Sequence, residues 1–195
     1  MIITAMLFAA GFRVGGGGLA SMLDSGGMRE QMIDLAEDHG VRFAQIAPQT
    51  TRVLREHLEA GLEAVNPMDG MGQLGNNIYQ TFIECGKALL AAADSALLSF
   101  EFEFRDGFSH YPELFEVAKE LAAYGDKPLV LINSCSFTTI HQTAAELTAQ
   151  GIPVINGIDV ALRAIFNLMN YQPVGEVAGS ASTTSFDQAA IAHWS

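Results

Sequence analysis

Residues 18–40 read GLASMLDSGGMREQMIDLAEDHG, and this stretch decides the fold. Its first part, GLASML, is an apolar run with the length of a buried strand, and it stops at Asp24, Ser25 and two glycines. Apolar residues then recur at helical spacing from Met28 until Gly40, and glycine commonly ends helices. The stretch therefore predicts a strand, a tight turn and a helix.

Four further apolar runs predict strands: VRFAQI (41–46), SALLSFEFEF (95–104), KPLVLIN (127–133) and IPVI (152–155). Helical patterns lie between and after them, over residues 48–61, 78–93, 112–124, 138–150 and 159–169. Strands that alternate with helices are typical of an open parallel sheet. The sequence predicts an α/β fold, a flavodoxin-like (Rossmann-type) open parallel sheet of about five strands with helices on both faces.

The composition limits the partners of the chain. The 195 residues carry a formal net charge of −12, and the sequence pI is about 4.6. Such a surface repels the phosphates of nucleic acids and the headgroups of anionic lipids. We therefore expect neither nucleic acid nor a membrane as a partner.

The chain divides into three parts by composition. Residues 1–17 begin with MIITAMLFAAG, which lacks a basic n-region and is too short to span a bilayer, so we interpret this part as a helix and linker from a preceding domain. Residues 18–170 form the predicted α/β domain, and residues 171–195 have the composition of a tail or linker. Cys85 and Cys135 occur in unrelated contexts, as free thiols in a reducing cytoplasm do.

Ligands of open parallel sheets bind at the carboxyl ends of the strands. The loops expected there are residues 24–27, 66–72, 105–111 and 133–138. In the first, Ser25 can cap the helix, while Gly26 and Gly27 allow a sharp turn. The free N–H groups at the helix start would suit a phosphate or carboxylate, although a tight turn alone also explains these residues.

Polar residues also occupy the second and third loops. In NPMDGMG, Asn66 and Asp69 can bind their own backbone, which by itself predicts a turn. In RDGFSHY, Asp106, Ser109 and His110 lie together, so His110 could transfer protons, whereas a solvated loop histidine is the simpler interpretation.

Two pairs of residues invite a catalytic interpretation and have a simpler alternative. Glu101 and Glu103 lie at alternating strand positions and could serve acid/base chemistry or bind a metal, but a solvated strand end explains them more simply. Cys135 and His141 could form a nucleophile pair, yet no orienting third residue is visible in the sequence.

The order of these segments resembles one protein family. The turn Ser25-Gly26-Gly27 is followed by Gly40-Val41, by the segment TTRVL (50–54) and then by Asn66-Pro67-Met68-Asp69. Over residues 18–168 the chain resembles the succinyl-CoA-ligase-like flavodoxin domain of NDP-forming acyl-CoA synthetases. That family includes ADP-forming acetate–CoA ligase and is related to succinyl-CoA synthetase.

The resemblance implies a parent reaction and partners. The parent enzymes convert a carboxylic acid, CoA and ATP into acyl-CoA, ADP and phosphate through a phosphohistidine, and they use CoA, ATP or ADP, and Mg²⁺. The implied partners are CoA-binding and ATP-grasp domains or subunits of the same ligase, and a homo-oligomer is also compatible with the resemblance. No cofactor is assigned to this domain alone.

The resemblance also assigns site residues. It implies a phosphate role for Ser25, Gly26 and Gly27. By order in the chain, residues 105–111 correspond to the loop that leads to a phosphate-facing helix in succinyl-CoA synthetase, with Asp106-Gly107 in place of two glycines. The residues expected at the interface or active site are Asn66, Pro67, Asp69, Asp106, Gly107, Ser109 and His110.

The catalytic histidine of the family has no counterpart in this sequence. Family members carry the phosphohistidine in an S-H-T-G or G-H-A-G segment, whereas the five histidines here read D-H-G, E-H-L, S-H-Y, I-H-Q and A-H-W. We therefore expect no catalytic residue here and no ligase activity of the chain alone. The alternative is a stand-alone binding or regulatory module that has kept the fold without the chemistry.

Overall fold

The computed structural model describes residues 1–72 and 77–172. Five of its strands form one parallel sheet in the order β2-β1-β3-β6-β7, and two short strands, β4 and β5, pair as an antiparallel hairpin. The predicted α/β class and the parallel sheet are thus confirmed. The strands are β1 (Gly18–Leu23), β2 (Met68–Asp69), β3 (Ser95–Phe102), β4 (Phe104–Arg105), β5 (Phe108–Ser109), β6 (Leu129–Asn133) and β7 (Val154–Asn156).

Seven helices accompany these strands in the described residues. They are α1 (Ile2–Ala9), α2 (Gly26–His39), α3 (Pro48–His57), α4 (Ile78–Ala91), α5 (Glu113–Ala123), α6 (His141–Ala149) and α7 (Ile158–Met169). No helix of these two described ranges has the length and apolarity needed to cross a bilayer.

Alternate residues of the strands pack into two hydrophobic cores, one on each face of the sheet. On one face, Phe100 and Phe102 of β3 pack with Phe82 of α4 and with residues of α3, α5 and α6. On the other face, Leu97 of β3 and Ile132 of β6 pack with α1, α2 and α7. Both faces of the sheet are therefore covered, as expected for parallel strands.

The prediction of a strand over residues 41–46 is wrong. This segment makes a single isolated bridge, between Leu19 and Phe43, in which the Leu19 N–H donates to Arg42 and the Ala44 N–H donates to Leu19. Its close approach requires a glycine, because a Cβ on Gly18 would lie 2.3 Å from the Ala44 nitrogen. Beyond Leu19 the edge of β1 pairs instead with the two residues of β2.

Helix α1 packs on the α/β domain through its apolar side. Leu7 is fully buried among residues of α2 and α7, and the Tyr171 ring lies 4.7 Å from the Phe8 ring. The division of the chain into parts that end at residues 17 and 170 stays a prediction. Most of the predicted tail, residues 173–195, lies outside the described residues.

Candidate functional site

The parallel sheet brings the four predicted loops to one edge, at the carboxyl ends of the strands. The first and second loops lie side by side, since a Cβ on Gly26 would lie 3.0 Å from Asp69 Oδ2, and Arg29 in the first turn of α2 donates to the Pro67 carbonyl oxygen at 2.8 Å. The third and fourth loops also touch, since the Asp106 N–H donates to the Thr139 carbonyl oxygen just beyond the fourth loop, at 2.8 Å. Glu101 of β3 links these two pairs, because the Asp24 N–H donates to its carbonyl oxygen and the Ser134 hydroxyl donates to its carboxylate.

In the first loop, Gly26 begins α2 but a carboxylate of the chain itself lies beside it. A Cβ built on Gly26 would lie 3.0 Å from Asp69 Oδ2, and the other Asp69 oxygen accepts the Met71 N–H. Burial raises the pKa of Asp69, and the Met71 hydrogen bond and the Arg29 charge oppose that rise. Ser25 occupies the N-cap position of α2 in extended conformation as predicted, but its side chain makes no cap hydrogen bond.

A cavity of about 350 Å³ lies beside this turn. Arg29 in its wall is already engaged, since it donates to Pro67 and to Glu30 and lies 3.6 Å from Glu63. A phosphate in the cavity would face more carboxylates than free cations, and an anion role for Ser25, Gly26 and Gly27 stays a prediction. The lining residues are Gly26, Arg29, Glu30, Gly61, Leu62, Glu63 and Asp69.

In the second loop, Asn66 joins three parts of the backbone. Its side-chain oxygen accepts the Ser21 N–H at 2.8 Å, and its amide nitrogen donates to Leu19 at 2.9 Å and to Ala44 at 3.0 Å. The peptide between Asn66 and Pro67 is cis. Asn66 therefore holds the loop against β1 rather than binding only its own backbone.

In the third loop, Asp106 caps a helix that follows much later in the chain. Its carboxylate accepts the N–H groups of Thr143 at 3.0 Å and Gln142 at 3.2 Å, at the start of α6. These hydrogen bonds, that of Thr143 first, hold the pKa of Asp106 below its ordinary value. Asp106 thus serves the N-terminus of α6 and not that of α5, the helix which the resemblance linked to phosphate.

The other predicted residues of this loop form the tip and exit of the β4–β5 hairpin. Gly107 has a φ of +74°, in the left-handed region that favours glycine. The Ser109 hydroxyl accepts the Tyr111 N–H at 3.2 Å. His110 is exposed and packs edge to face on Phe108, at 4.9 Å between ring centroids. No carboxylate contact of His110 is found in the described residues, so its proton-transfer role stays a prediction.

Sequence reasoning named Glu101 but did not predict the burial that makes it the most unusual side chain at this edge. Glu101 is 0% exposed within β3, its Oε1 accepts the Ser134 hydroxyl, and its Oε2 has no hydrogen-bond partner among the described residues. Burial raises the pKa of Glu101 to about 8, and the neighbouring Asp24 and Glu103 raise it too, while the Ser134 hydrogen bond opposes the rise. Glu101 is thus largely protonated at neutral pH.

Asp24 continues this group of acids toward the surface. Burial raises its pKa to about 6, against the effect of the Glu103 N–H, which hydrogen-bonds to it. The charges of Glu103 and Asp69 add to the rise. The solvated strand end expected for Glu101 is therefore wrong, whereas Glu103 is exposed as expected. The available signal was the place of Glu101 between Phe100 and Phe102 in an otherwise apolar run.

Comparisons with known proteins yield structural neighbours. PH0766 from Pyrococcus horikoshii OT3 matches with a TM-score of 0.67 and 19% identity over 86% of this chain. The dinucleotide forming acetyl-coenzyme A synthetase 1 of Ca. Korarchaeum cryptofilum matches with a TM-score of 0.64 and 16% identity over 85% of this chain, as the apo form and in complex with phosphate and ADP. At these identities the likeness shows the fold, and it is consistent with the resemblance to NDP-forming acyl-CoA synthetases.

The chain spans little more than a third of these neighbours, covering 38%, 36% and 35% of their lengths. No protein-family model matches the sequence, and no curated protein matches it significantly. The likeness therefore concerns a part of larger proteins.

Proposed function

We propose that this chain is a flavodoxin-like domain or subunit of an NDP-forming acyl-CoA synthetase and that it acts by docking onto the CoA-binding and ATP-grasp parts of the ligase. One observation carries the proposal. The SGG turn and the NPMD loop, which the resemblance pairs by sequence order, lie side by side at the carboxyl edge of the sheet, where Asp69 approaches Gly26 and Arg29, just after the turn, donates to Pro67. The fold shared with part of an acetyl-coenzyme A synthetase supports it.

The cofactors of the parent enzyme fit this chain poorly. No group of three or more His, Cys, Asp or Glu side chains in the described ranges could hold a metal ion by itself, so Mg²⁺ would need the phosphates of a nucleotide as further ligands. The cavity beside α2 is lined by Glu30, Glu63 and Asp69, which would repel the phosphates of CoA or ATP. We assign CoA and nucleotide binding to the partner domains.

The edge of the sheet exposes groups suited to protein contact. Phe137 in the fourth loop is 97% exposed, and Phe108 on the hairpin is 45% exposed. Aromatic rings are enriched where proteins dock. We propose that these rings belong to the docking face, and that the complex is cytoplasmic, in keeping with the free thiols of Cys85 and Cys135.

Complementation tests this function. The chain is mixed with separately folded CoA-binding and ATP-grasp proteins from its source, and thioester formation is followed with ATP, CoA and a panel of short carboxylic acids. We expect no turnover by the chain alone, turnover in the mixture, and reduced turnover with Phe137→Ser. The control is Tyr124→Ser, which removes an exposed ring that follows α5.

A failure of complementation with well-folded partners would contradict the ligase role. The rival module predicts the opposite pattern, in which the chain alone binds a small carboxylic acid or a protein and never supports thioester formation. Isothermal titration of the same acid panel onto the chain alone measures this alternative directly.

A further inference from the structure

Three acidic residues are neighbours at the carboxyl ends of β1 and β3, where the Asp24 N–H donates to the Glu101 carbonyl oxygen at 3.3 Å, and we call Asp24, Glu101 and Glu103 the acidic cluster. The Glu103 N–H hydrogen-bonds to the Asp24 carboxylate, and the charges of Asp24 and Glu103 both act on Glu101. Among the ion pairs of the described residues, none involves a member of this cluster. The cluster therefore lacks the positive charge that usually accompanies buried carboxyls.

Glu101 gives the cluster a second, independent feature. Its Oε2 atom is buried without a hydrogen-bond partner among the described residues, and a buried polar atom in this state is costly. Asp24 is half-buried and Glu103 is exposed, so the cluster runs from the surface down to Glu101. A positive charge bound at the surface end would be felt by all three groups.

The surroundings of the acidic cluster favour a positively charged side chain of another protein over a metal ion or small cation. The neighbouring cavity adds Glu30, Glu63 and Asp69, and its Arg29 is already engaged. The side-chain geometry within the described ranges does not suit a metal ion. Exposed aromatic rings lie on loops of the same edge, a combination typical of protein interfaces rather than of sites for small cations.

We propose that the acidic cluster receives a basic side chain, arginine or lysine, of the protein partner that docks on this edge. The proposal rests on the docking role given above and names the chemistry of the partner surface. The basic group would pair with Asp24 and Glu103 at the surface and offset the charge of Glu101 when that group ionises.

The acidic cluster should release protons when a basic group binds to it. The groups that face Glu101 are Asp24 after β1, Glu103 after β3 and the Ser134 hydroxyl after β6, and Asp69 at the end of β2 acts on Asp24. A bound cation favours the ionised forms of Asp24 and Glu101. Affinity for the basic group should therefore rise with pH between about 5 and 9, and binding should release protons.

The test uses the whole chain and N-acetyl-arginine amide as the probe, with N-acetyl-citrulline amide as its neutral match. Carbon-detected NMR of the Asp and Glu carboxyls follows binding at pH 6 and pH 8.5, at low salt. We expect the arginine amide to shift the Asp24 and Glu101 signals, more tightly at pH 8.5, and to lower the apparent pKa of Glu101. The citrulline amide should leave these signals unchanged.

Variants locate the site. Asp24→Asn and Glu103→Gln should each weaken binding of the arginine amide about fivefold or more. Glu37→Gln, which removes the same charge from an exposed position at the far end of α2, should leave it unchanged. Circular dichroism confirms that each variant is folded.

Three results would overturn the proposal: equal responses to arginine and citrulline amides, equal weakening by Glu37→Gln, or a response to Mg²⁺ without one to the arginine amide. The outcome is separate from that of complementation. If the arginine amide binds but complementation fails, the proposal of a basic-group site is supported. Only the ligase assignment is then contradicted.

Discussion

The carboxylate of Asp106 accepts the backbone N–H of Thr143 at 3.0 Å, so a loop that follows β3 caps a helix that begins after β6. The Gln142 N–H donates to the same carboxylate. Helix starts leave free N–H groups that a side-chain oxygen can satisfy, and a negative charge there is favourable. The bond thus ties the β4–β5 hairpin to the fourth loop.

We predict that Asp106→Ala lowers the melting temperature by about 2–4 °C, the effect of losing a good helix cap in a protein of this size. Differential scanning calorimetry at pH 7 measures the change. Asp126→Ala, at an exposed loop position, is the control and should melt within about 1 °C of the unchanged protein. Equal melting temperatures for both variants would show that the Asp106 cap does not stabilise α6.

Asn66 should contribute more to the free energy of unfolding than Asp106 does, because its side chain hydrogen-bonds to three backbone groups around β1. We predict that Asn66→Ala lowers the free energy of unfolding by about 2–4 kcal/mol, since the buried Ser21 N–H and Ala44 carbonyl lose the Asn66 side chain and the Leu19 carbonyl keeps only its bond from the Ala44 N–H. Urea denaturation measures it. Asn167→Ala, which removes one exposed hydrogen bond to Thr4, should cost under about 0.5 kcal/mol. A similar small loss at Asn66 would contradict its structural role.

Local sequence patterns predicted four of the five strands of the parallel sheet and missed β2, the strand at one of its two edges. Strands β1, β3, β6 and β7 are apolar runs, because both of their faces are buried. Strand β2 has two residues, too short for any periodic pattern, and the apolar run at 41–46 bridges β1 at a single position. The hydrogen bond between the Ser21 N–H and Asn66, which lie 45 residues apart in the sequence, helps to hold β2 beside β1 at this edge.

The sequence predicted where the loops of the candidate site lie, but it did not predict the burial and the charges of their side chains. The rule for parallel sheets put the loops at the carboxyl edge of the sheet, and the family resemblance paired the SGG turn with the NPMD loop, whose Asp69 lies beside Gly26. The burial of Glu101, the cap made by Asp106 and the carboxylate of Asp69 beside Gly26 each depend on contacts between distant segments. Spacing within the sequence carries no information on such contacts.

Asp69 should control whether the SGG turn binds an anion. Its Oδ2 atom lies beside Gly26 at the start of α2, where its negative charge would oppose a bound phosphate. We predict that inorganic phosphate shifts the amide NMR signals of Gly26 and Gly27 more strongly in Asp69→Asn than in the unchanged protein.

Glu63→Gln is the matched control for this prediction, because it removes a charge from the same cavity wall without touching the Gly26 contact. It should leave the phosphate response of Gly26 and Gly27 close to that of the unchanged protein. If both variants responded alike, general charge and not the position of Asp69 would govern the turn, and if neither responded to phosphate, the anion role of Ser25, Gly26 and Gly27 would be excluded.

Glu101 should make stability fall as pH rises. Its pKa is about 8 in the folded protein, against an ordinary value of 4.5, so between these values the folded chain holds a proton that the unfolded chain has lost. The free energy of unfolding then decreases with pH, by at most about 1.4 kcal/mol per pH unit for this one group. Asp24, with a pKa of about 6, contributes in the same direction over a lower range.

We predict that Glu101→Gln, which keeps the shape and a hydrogen-bond acceptor for Ser134 but cannot ionise, loses less stability than the unchanged protein between pH 5 and pH 8. Urea denaturation at each half unit of pH gives the difference between the two curves, which should widen up to about pH 8 and then level off. Glu37→Gln should run parallel to the unchanged protein throughout. A difference curve that is flat from pH 5 to pH 9 would mean that Glu101 is ionised in the folded chain, and that a positive charge or water reaches its Oε2 atom.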